Sequence, residues 1–164
     1  MRVIMTLAGI LNVFLISAQN VPANAETPEK LGLGFSAGPA VSYTDKAFLL
    51  STQISGHLDY KISERCFIQL APKYTWLIRW NEHYLTLPLH IGARFGERIS
   101  CVAGPALTFD LGFFRDIGIS AGVFYRFSER SAIGLSAHTF TLYDYSIDYL
   151  YVPVGISYNY LLLK

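Results

Sequence analysis

The residues of this chain best equipped for chemistry are Asp59, Lys61, Lys73, Arg79, Arg94, Asp110 and Arg126, with His57, His90 and His138 among them. Hydrolysis through an activated nucleophile needs a base within hydrogen-bond reach of a hydroxyl or thiol. Side chains two positions apart on a strand share a face, and two positions after His138 stands Phe140. The three histidines fall on three different segments without metal-ligand spacing, so hydrogen bonding is their expected role. The chain shows no Gly-rich phosphate loop and no cysteine cluster, and no cofactor is expected. Buried charge is costly unless it is paired and hydrogen-bonded. The set therefore reads as a polar network filling a protected interior: Asp59, Lys61, Lys73, Arg79, His90, Arg94, Asp110, Arg126 and His138.

The elements that must hold these residues alternate with period two from residue 31 onward, which is the signature of β-strands. Leu85, Leu87, Leu89, Ile91, Ala93 and Phe95 are interleaved with Thr86, Pro88, His90, Gly92 and Arg94. Ile117, Ile119, Ala121, Val123 and Tyr125 oppose Gly118, Ser120, Gly122, Phe124 and Arg126. Leu150, Val152, Val154, Ile156, Tyr158 and Tyr160 oppose Tyr151, Pro153, Gly155, Ser157 and Asn159. Further strands are predicted over residues 31–43, 48–61, 66–79, 99–110 and 131–143. Each can cross a bilayer, which takes about 9–11 tilted residues. The count is eight, an even number. Three charged turns, Ser63-Glu64-Arg65, Gly96-Glu97-Arg98 and Ser128-Glu129-Arg130, alternate with four breaks at 44–47, 81–83, 112–116 and 144–148. That is the arrangement eight strands require, the charged turns being periplasmic and the four breaks outer loops. Pro39, Pro72, Pro88, Pro105 and Pro153 fall inside these strands. Proline removes a ladder hydrogen bond, so local bulges or strand ends are expected there.

Composition agrees. Hydrophobic residues make up 52%, aromatics 15% and charged residues 15%, with a net charge of +1. Soluble domains carry about 25% charged residues, and the near-neutral balance points to no nucleic acid. Arg2, the apolar stretch from Val3 to Ile16 and Ala23-Asn24-Ala25 have the form of a secretory signal peptide over residues 1–25. Residues 26–30 read as a polar lead-in and residues 31–164 as the barrel. Export would permit a disulfide. Cys66 and Cys101, however, are expected on the exterior of strands separated by a third, about 10 Å apart, and so unbridged.

The polar face decides which way the alternation points. A soluble barrel would turn the apolar face inward, crowding Tyr60, Tyr74, Trp76, Phe95, Phe109, Tyr125, Tyr143, Tyr158 and Tyr160 into an interior only wide enough for ordinary side chains. The small residues, such as Gly34, Ser36, Ala40, Ser51, Gly92 and Gly122, share the polar face instead. Small residues suit a narrow lumen, and large aromatics suit two interfacial girdles. The fold expected is all-β: an eight-stranded antiparallel up-and-down transmembrane β-barrel. Its halves also match at an offset of 65 residues. Tyr60-Lys61-Ile62-Ser63-Glu64-Arg65 aligns with Tyr125-Arg126-Phe127-Ser128-Glu129-Arg130, and Ala37-Gly38-Pro39 aligns with Ala103-Gly104-Pro105 at offset 66. Two repeated four-stranded units are expected.

The run Tyr84-Leu85-Thr86-Leu87-Pro88-Leu89, a turn, then Ala103-Gly104-Pro105 resembles the small bacterial outer-membrane β-barrel domain family, PorT-like and OmpA/OmpX-like, over nearly the whole mature chain. The resemblance implies an eight-stranded barrel of the cell outer membrane with no single role. Such barrels usually end in an aromatic residue, whereas this chain reads Tyr160-Leu161-Leu162-Leu163-Lys164. Either Tyr160 serves with an overhang or the assembly signal is atypical. The expected function is structural, anchoring or interacting, in a monomer with a plugged lumen, in contact with outer-membrane lipid, lipopolysaccharide and an envelope protein partner. The alternatives are a narrow pore, a lipid A-modifying enzyme and a soluble lipocalin-like barrel. Some small barrels modify lipid A with a His and a Ser two positions apart, and Phe140 breaks that pattern, so no enzyme is expected. Phe113, Phe114, Tyr145 and Ile147 near the loop tips would extend the aromatic girdle. Amino-terminal sequencing of the membrane-extracted protein should begin at Glu26, and a mature chain starting at Met1 would overturn the signal peptide.

Overall fold

A computed structural model describes residues 30–44, 47–110, 113–144 and 147–163. The expected signal peptide and all but the last residue of the lead-in lie outside the described residues, as does Tyr145. Eight strands cross the barrel. They are β1 (Leu31–Thr44), β2 (Ala47–Lys61), β3 (Cys66–Leu70 and Lys73–Leu77), β4 (Glu82–Phe95), β5 (Ile99–Asp110), β6 (Phe113–Arg126), β7 (Ser131–His138 and Phe140–Asp144) and β8 (Ile147–Tyr151 and Val154–Leu163). Each pairs antiparallel with its sequence neighbours, and β1 also pairs with β8, from Leu33↔Leu163 to Val41↔Val154. The sheet is thereby closed, the arrangement that leaves backbone polar groups satisfied without water. Above the closed ring, Phe140–Asp144 of β7 and Ile147–Tyr151 of β8 pair with each other as a separate hairpin. Both ends of the described chain lie at the lower end of the barrel, with the three charged turns.

The lower turns are built alike. The Ser63 hydroxyl accepts from the amides of Arg65 and Cys66 at 3.3 and 3.0 Å, and the Ser128 hydroxyl accepts from those of Arg130 and Ser131 at 3.4 and 3.0 Å. These side-chain-to-backbone bonds satisfy amides that the ladder cannot reach. At the third turn Gly96 takes φ +67°, a left-handed conformation that costs glycine nothing. Opposite, the strands reach further up than the sequence predicts. Pairing continues to Thr44↔Ala47, Asp110↔Phe113 and Asp144↔Ile147, so the breaks expected at 112–116 and 144–148 shrink. Between β3 and β4 the chain turns at residues 78–81 and Asn81 takes φ 54°.

Pro72 and Pro153 interrupt β3 and β8, yet no bulge accompanies any proline among the described residues. The register is the same on both sides of each break: Leu58↔Leu70 and Ser55↔Lys73, Tyr151↔Phe140 and Val154↔Ala137. The shifts fall instead at Leu33/Gly34 and Thr108/Phe109. Pro39 and Pro105 show why bulges are unnecessary. Each follows a glycine whose backbone lies against a neighbouring carbonyl. A Cβ on Gly38 would stand 1.9 Å from the Ile156 oxygen, and one on Gly104 would stand 2.0 Å from the Leu89 oxygen. The missing proline N–H opens the ladder locally, and the bare glycine lets the strands stay together, so pairing resumes in register at Ala37↔Tyr158 and Ile91↔Ala103. The same device sits at the β1/β8 and β4/β5 seams, four strands apart.

The outward face is apolar and, among the described residues between the rims, uncharged. Leu89, Ile91, Ile119, Leu135 and Ile156 are all exposed, Ile91 by 73%. Aromatics gather at both margins: Tyr43 against Phe48 and Phe109 against Phe114 above, Phe35 against Tyr160 and Phe127 against Tyr158 below. Phe48 and Tyr60 mark the two margins of β2. At 3.3 Å per residue and a tilt of about 40° they lie about 30 Å apart along the axis, near the thickness of a hydrocarbon core. Cys66 and Cys101 each pair with Ala93 from opposite sides, two strands apart and unbridged. Gly104→Ala should destabilise the barrel more than Ala103→Gly on the outer face. The added methyl meets a backbone oxygen rather than a movable side chain. Comparing thermal unfolding of the two variants in detergent checks this, and equal loss would count against the Gly-Pro account.

Candidate functional site: a lumen closed at one end

Inward positions form three layers. The uppermost is apolar. Leu49 from β2, Leu77 from β3, Tyr84 from β4 and Tyr151 from β8 pack into one buried cluster across the lumen. Above it lies a small charged rim. Arg115 donates to the Asp110 carboxylate at 2.9 Å, its guanidinium lies 5.2 Å over the Tyr84 ring, and the Tyr84 hydroxyl donates to Glu82. Arg115 faces this rim because of the bulge. Thr108 pairs with Asp116 but Phe109 with Phe114, so Arg115 is the extra residue.

The middle layer is polar. His90 Nδ1 donates to Gln69 Oε1 at 3.1 Å, and Gln69 Nε2 donates to Asp59 Oδ1 at 2.9 Å, a relay running down β4, β3 and β2. The Ser36 and Ser55 hydroxyls share a 2.7 Å hydrogen bond. Lys73, 8% exposed, reaches from β3 to the opposite wall, where Nζ donates to Ser136 Oγ of β7 at 3.5 Å. A cavity of about 40 Å³ lies here, lined in part by Gln53, Lys73, His90, Ser120 and Ser136.

The lowest layer surrounds a cavity of about 80 Å³, lined in part by Asp59, Phe67, Arg94, Phe124, Arg126 and Arg130. The Arg94 guanidinium lies 5.3 Å over the Phe67 ring. Two large rings fit this narrow interior because each lies over a glycine directly paired with it on the neighbouring strand, Phe67 with Gly92 and Phe124 with Gly134. A Cβ on Gly92 would stand 2.2 Å from Phe67, and one on Gly134 would stand 2.3 Å from Phe124.

The nine residues expected to form one network divide among these layers. Asp59, Arg94 and Arg126 line the lower cavity. Lys73 and His90 line the middle one, and buried His138 lines neither. Lys61 is half-buried at the foot of β2 and also lines neither cavity. Asp110 belongs to the upper rim. Arg79 is a correction: β3 ends at Leu77, and Arg79 is exposed in the turn that follows rather than inside the lumen. Some large aromatics also enter the lumen: Phe67, Tyr84, Phe124 and Tyr151 face inward, Phe124 and Tyr151 on the polar face that the alternation of their strands predicts. Their parity gave a usable signal: Tyr84 shares a face with Thr86, and Leu49 with Gln53. Arg115 had none, because a bulge reverses parity.

No protein-family model matches the chain, and no curated protein matches it. Solved structures do. Neisserial surface protein A is similar with a TM-score of 0.50 at 10% identity, over 79% of this chain and 96% of that one. The Yersinia pestis attachment invasion locus protein Ail, in complex with the heparin analogue sucrose octasulfate, gives 0.49 at 12% identity, over 80% and 98%. The N-terminal β-barrel domain of Pseudomonas aeruginosa OprF gives 0.48 at 16% identity, over 79% and 97%. At such identities the likeness is one of fold: this chain has the fold of the small eight-stranded outer-membrane barrels, as the OmpA/OmpX-like resemblance implies.

The upper cluster should act as the seal. Wild-type protein in planar bilayers should show no stable conductance, and Leu77→Ala with Tyr151→Ala should introduce one. Silence from a folded double variant would place the barrier elsewhere.

Proposed function

We propose that this protein is an integral barrel of the bacterial outer membrane with a structural, anchoring or interaction role, and that it neither conducts solutes nor performs catalysis. One observation carries this. The exterior presents an uncharged apolar band between aromatic margins, while the interior is shut by Leu49, Leu77, Tyr84 and Tyr151. An exterior of this kind is stable only against hydrocarbon. A lumen blocked by four fully packed side chains offers no through-path, and His90 is engaged in the wall rather than aimed at a nucleophile. His90 donates to Gln69, Phe140 follows His138 two positions on, and Ser136, two positions before it, accepts from Lys73. The surfaces left for contact are the lipid-facing belt and the short upper hairpins. Outer-membrane lipid, lipopolysaccharide and an envelope protein are the partners that suit them, with Phe113 and Phe114, both exposed, at the upper margin.

Site-directed labelling tests the orientation. A fluorophore on cysteine at position 89 should be quenched by lipid-borne nitroxides in reconstituted vesicles, and one at position 90 should not. Leu89→Arg should cost about 2–4 kcal/mol of folding free energy into bilayers, as charge at mid-membrane does on a barrel exterior, whereas Thr86→Ser should change little. A reversed quenching pattern, or a protein that stays monomeric and soluble without detergent, would sink the proposal.

A further inference from the structure

We infer that the mid-lumen cavity around Lys73 is a binding site for a small monatomic anion of the halide class, reached from the lower end of the barrel. Lys73 is a buried cation whose only hydrogen bond among the described residues is the long one to Ser136. No carboxylate among the described residues lies within ion-pair distance of it. An ammonium taken out of water needs a counter-charge and partners for its three N–H groups. The cavity beside it supplies donors and no competing acid. Gln53 Nε2 and Ser120 Oγ are buried without partners and line the same space, and none of its lining residues is Asp or Glu. A set made of an ammonium, an amide N–H and hydroxyls is complementary to an anion and not to a metal ion.

Size selects the class. The cavity measures about 40 Å³, room for about three waters at about 10–15 Å³ each on the same measure. It accommodates a halide with a companion water and is too small for an anion the size of gluconate. Access is one-sided. The upper cluster seals the lumen above, while the lower cavity, bearing Arg94, Arg126 and Arg130 against Asp59 and Glu129 and so basic on balance, shares His57, Gln69, Phe124 and Asn159 with the middle one. Guanidinium groups at the entrance raise the local anion concentration. The site is a dead end, so it goes beyond an anchoring role without implying transport.

The test uses the full mature barrel folded in detergent. At equal ionic strength, chloride should raise the thermal-unfolding midpoint by a few degrees over gluconate, which cannot enter. Bromide-soaked crystals should show anomalous density beside Lys73 Nζ. Lys73→Met should abolish both effects. If Lys73→Met does not fold, Gln53→Leu with Ser120→Ala keeps the cation, removes two donors and should weaken chloride stabilisation. Equal midpoints in chloride and gluconate would overturn the inference, since water alone would then satisfy Lys73. Bromide density confined to the lower arginines would overturn it as well.

Discussion

Backbone closure is the constraint from which the other features follow. A strand in hydrocarbon has no water to satisfy its N–H and C=O groups, so every strand needs two neighbours. Here β1 provides the final join by pairing with both β2 and β8. Closing at eight strands makes the interior narrow, and a narrow interior dictates which side chains enter it. Serines, threonines, alanines and glycines fill most inward positions. Large residues are admitted where the paired residue of the neighbouring strand is a glycine, as Phe67 is over Gly92 and Phe124 over Gly134. The Gly-Pro pairs at 38–39 and 104–105 obey the same demand. They sacrifice ladder hydrogen bonds locally without letting the register drift, so closure survives.

The exterior is alike from one rim to the other, but the interior is graded. At the top, apolar side chains pack against one another and need no hydrogen-bond partners. Below them, Lys73, His90, Gln69 and Asp59 form a polar column that becomes progressively more basic toward Arg94 and Arg126. Polar groups near an open end retain water as a partner, whereas those beneath a seal must find partners in the protein. Lys73 stands at that boundary, which is why its surroundings are the most chemically distinctive place in the lumen. The upper charged rim is separate from this column and is assembled by the Arg115 bulge, with Asp110 and Glu82 taking up its donors and those of Tyr84.

Much of this architecture was legible in the chain itself, because strand alternation has a period of two and a membrane barrel reads it one way only. Leu89 and Ile91 outward, Thr86 and His90 inward, the three charged turns, and Cys66 and Cys101 two strands apart all follow from parity and turn chemistry. Parity also assigns a residue to a face without saying which layer of that face it occupies, or whether the strand still runs. Arg79 was misplaced because β3 had already ended, and Arg115 was overlooked because an inserted residue reverses the count. The division of one expected network into three layers, and the seal formed by Leu49, Leu77, Tyr84 and Tyr151, depend on the stagger between strands that are distant in sequence. That stagger is set when the ring closes. Wherever a strand runs without a break or bulge, the sequence by itself determined which side chains face lipid and which face the lumen. Only the closed tertiary structure decided which of the inward side chains meet, because their meeting is a matter of height around a ring and not of spacing along a strand.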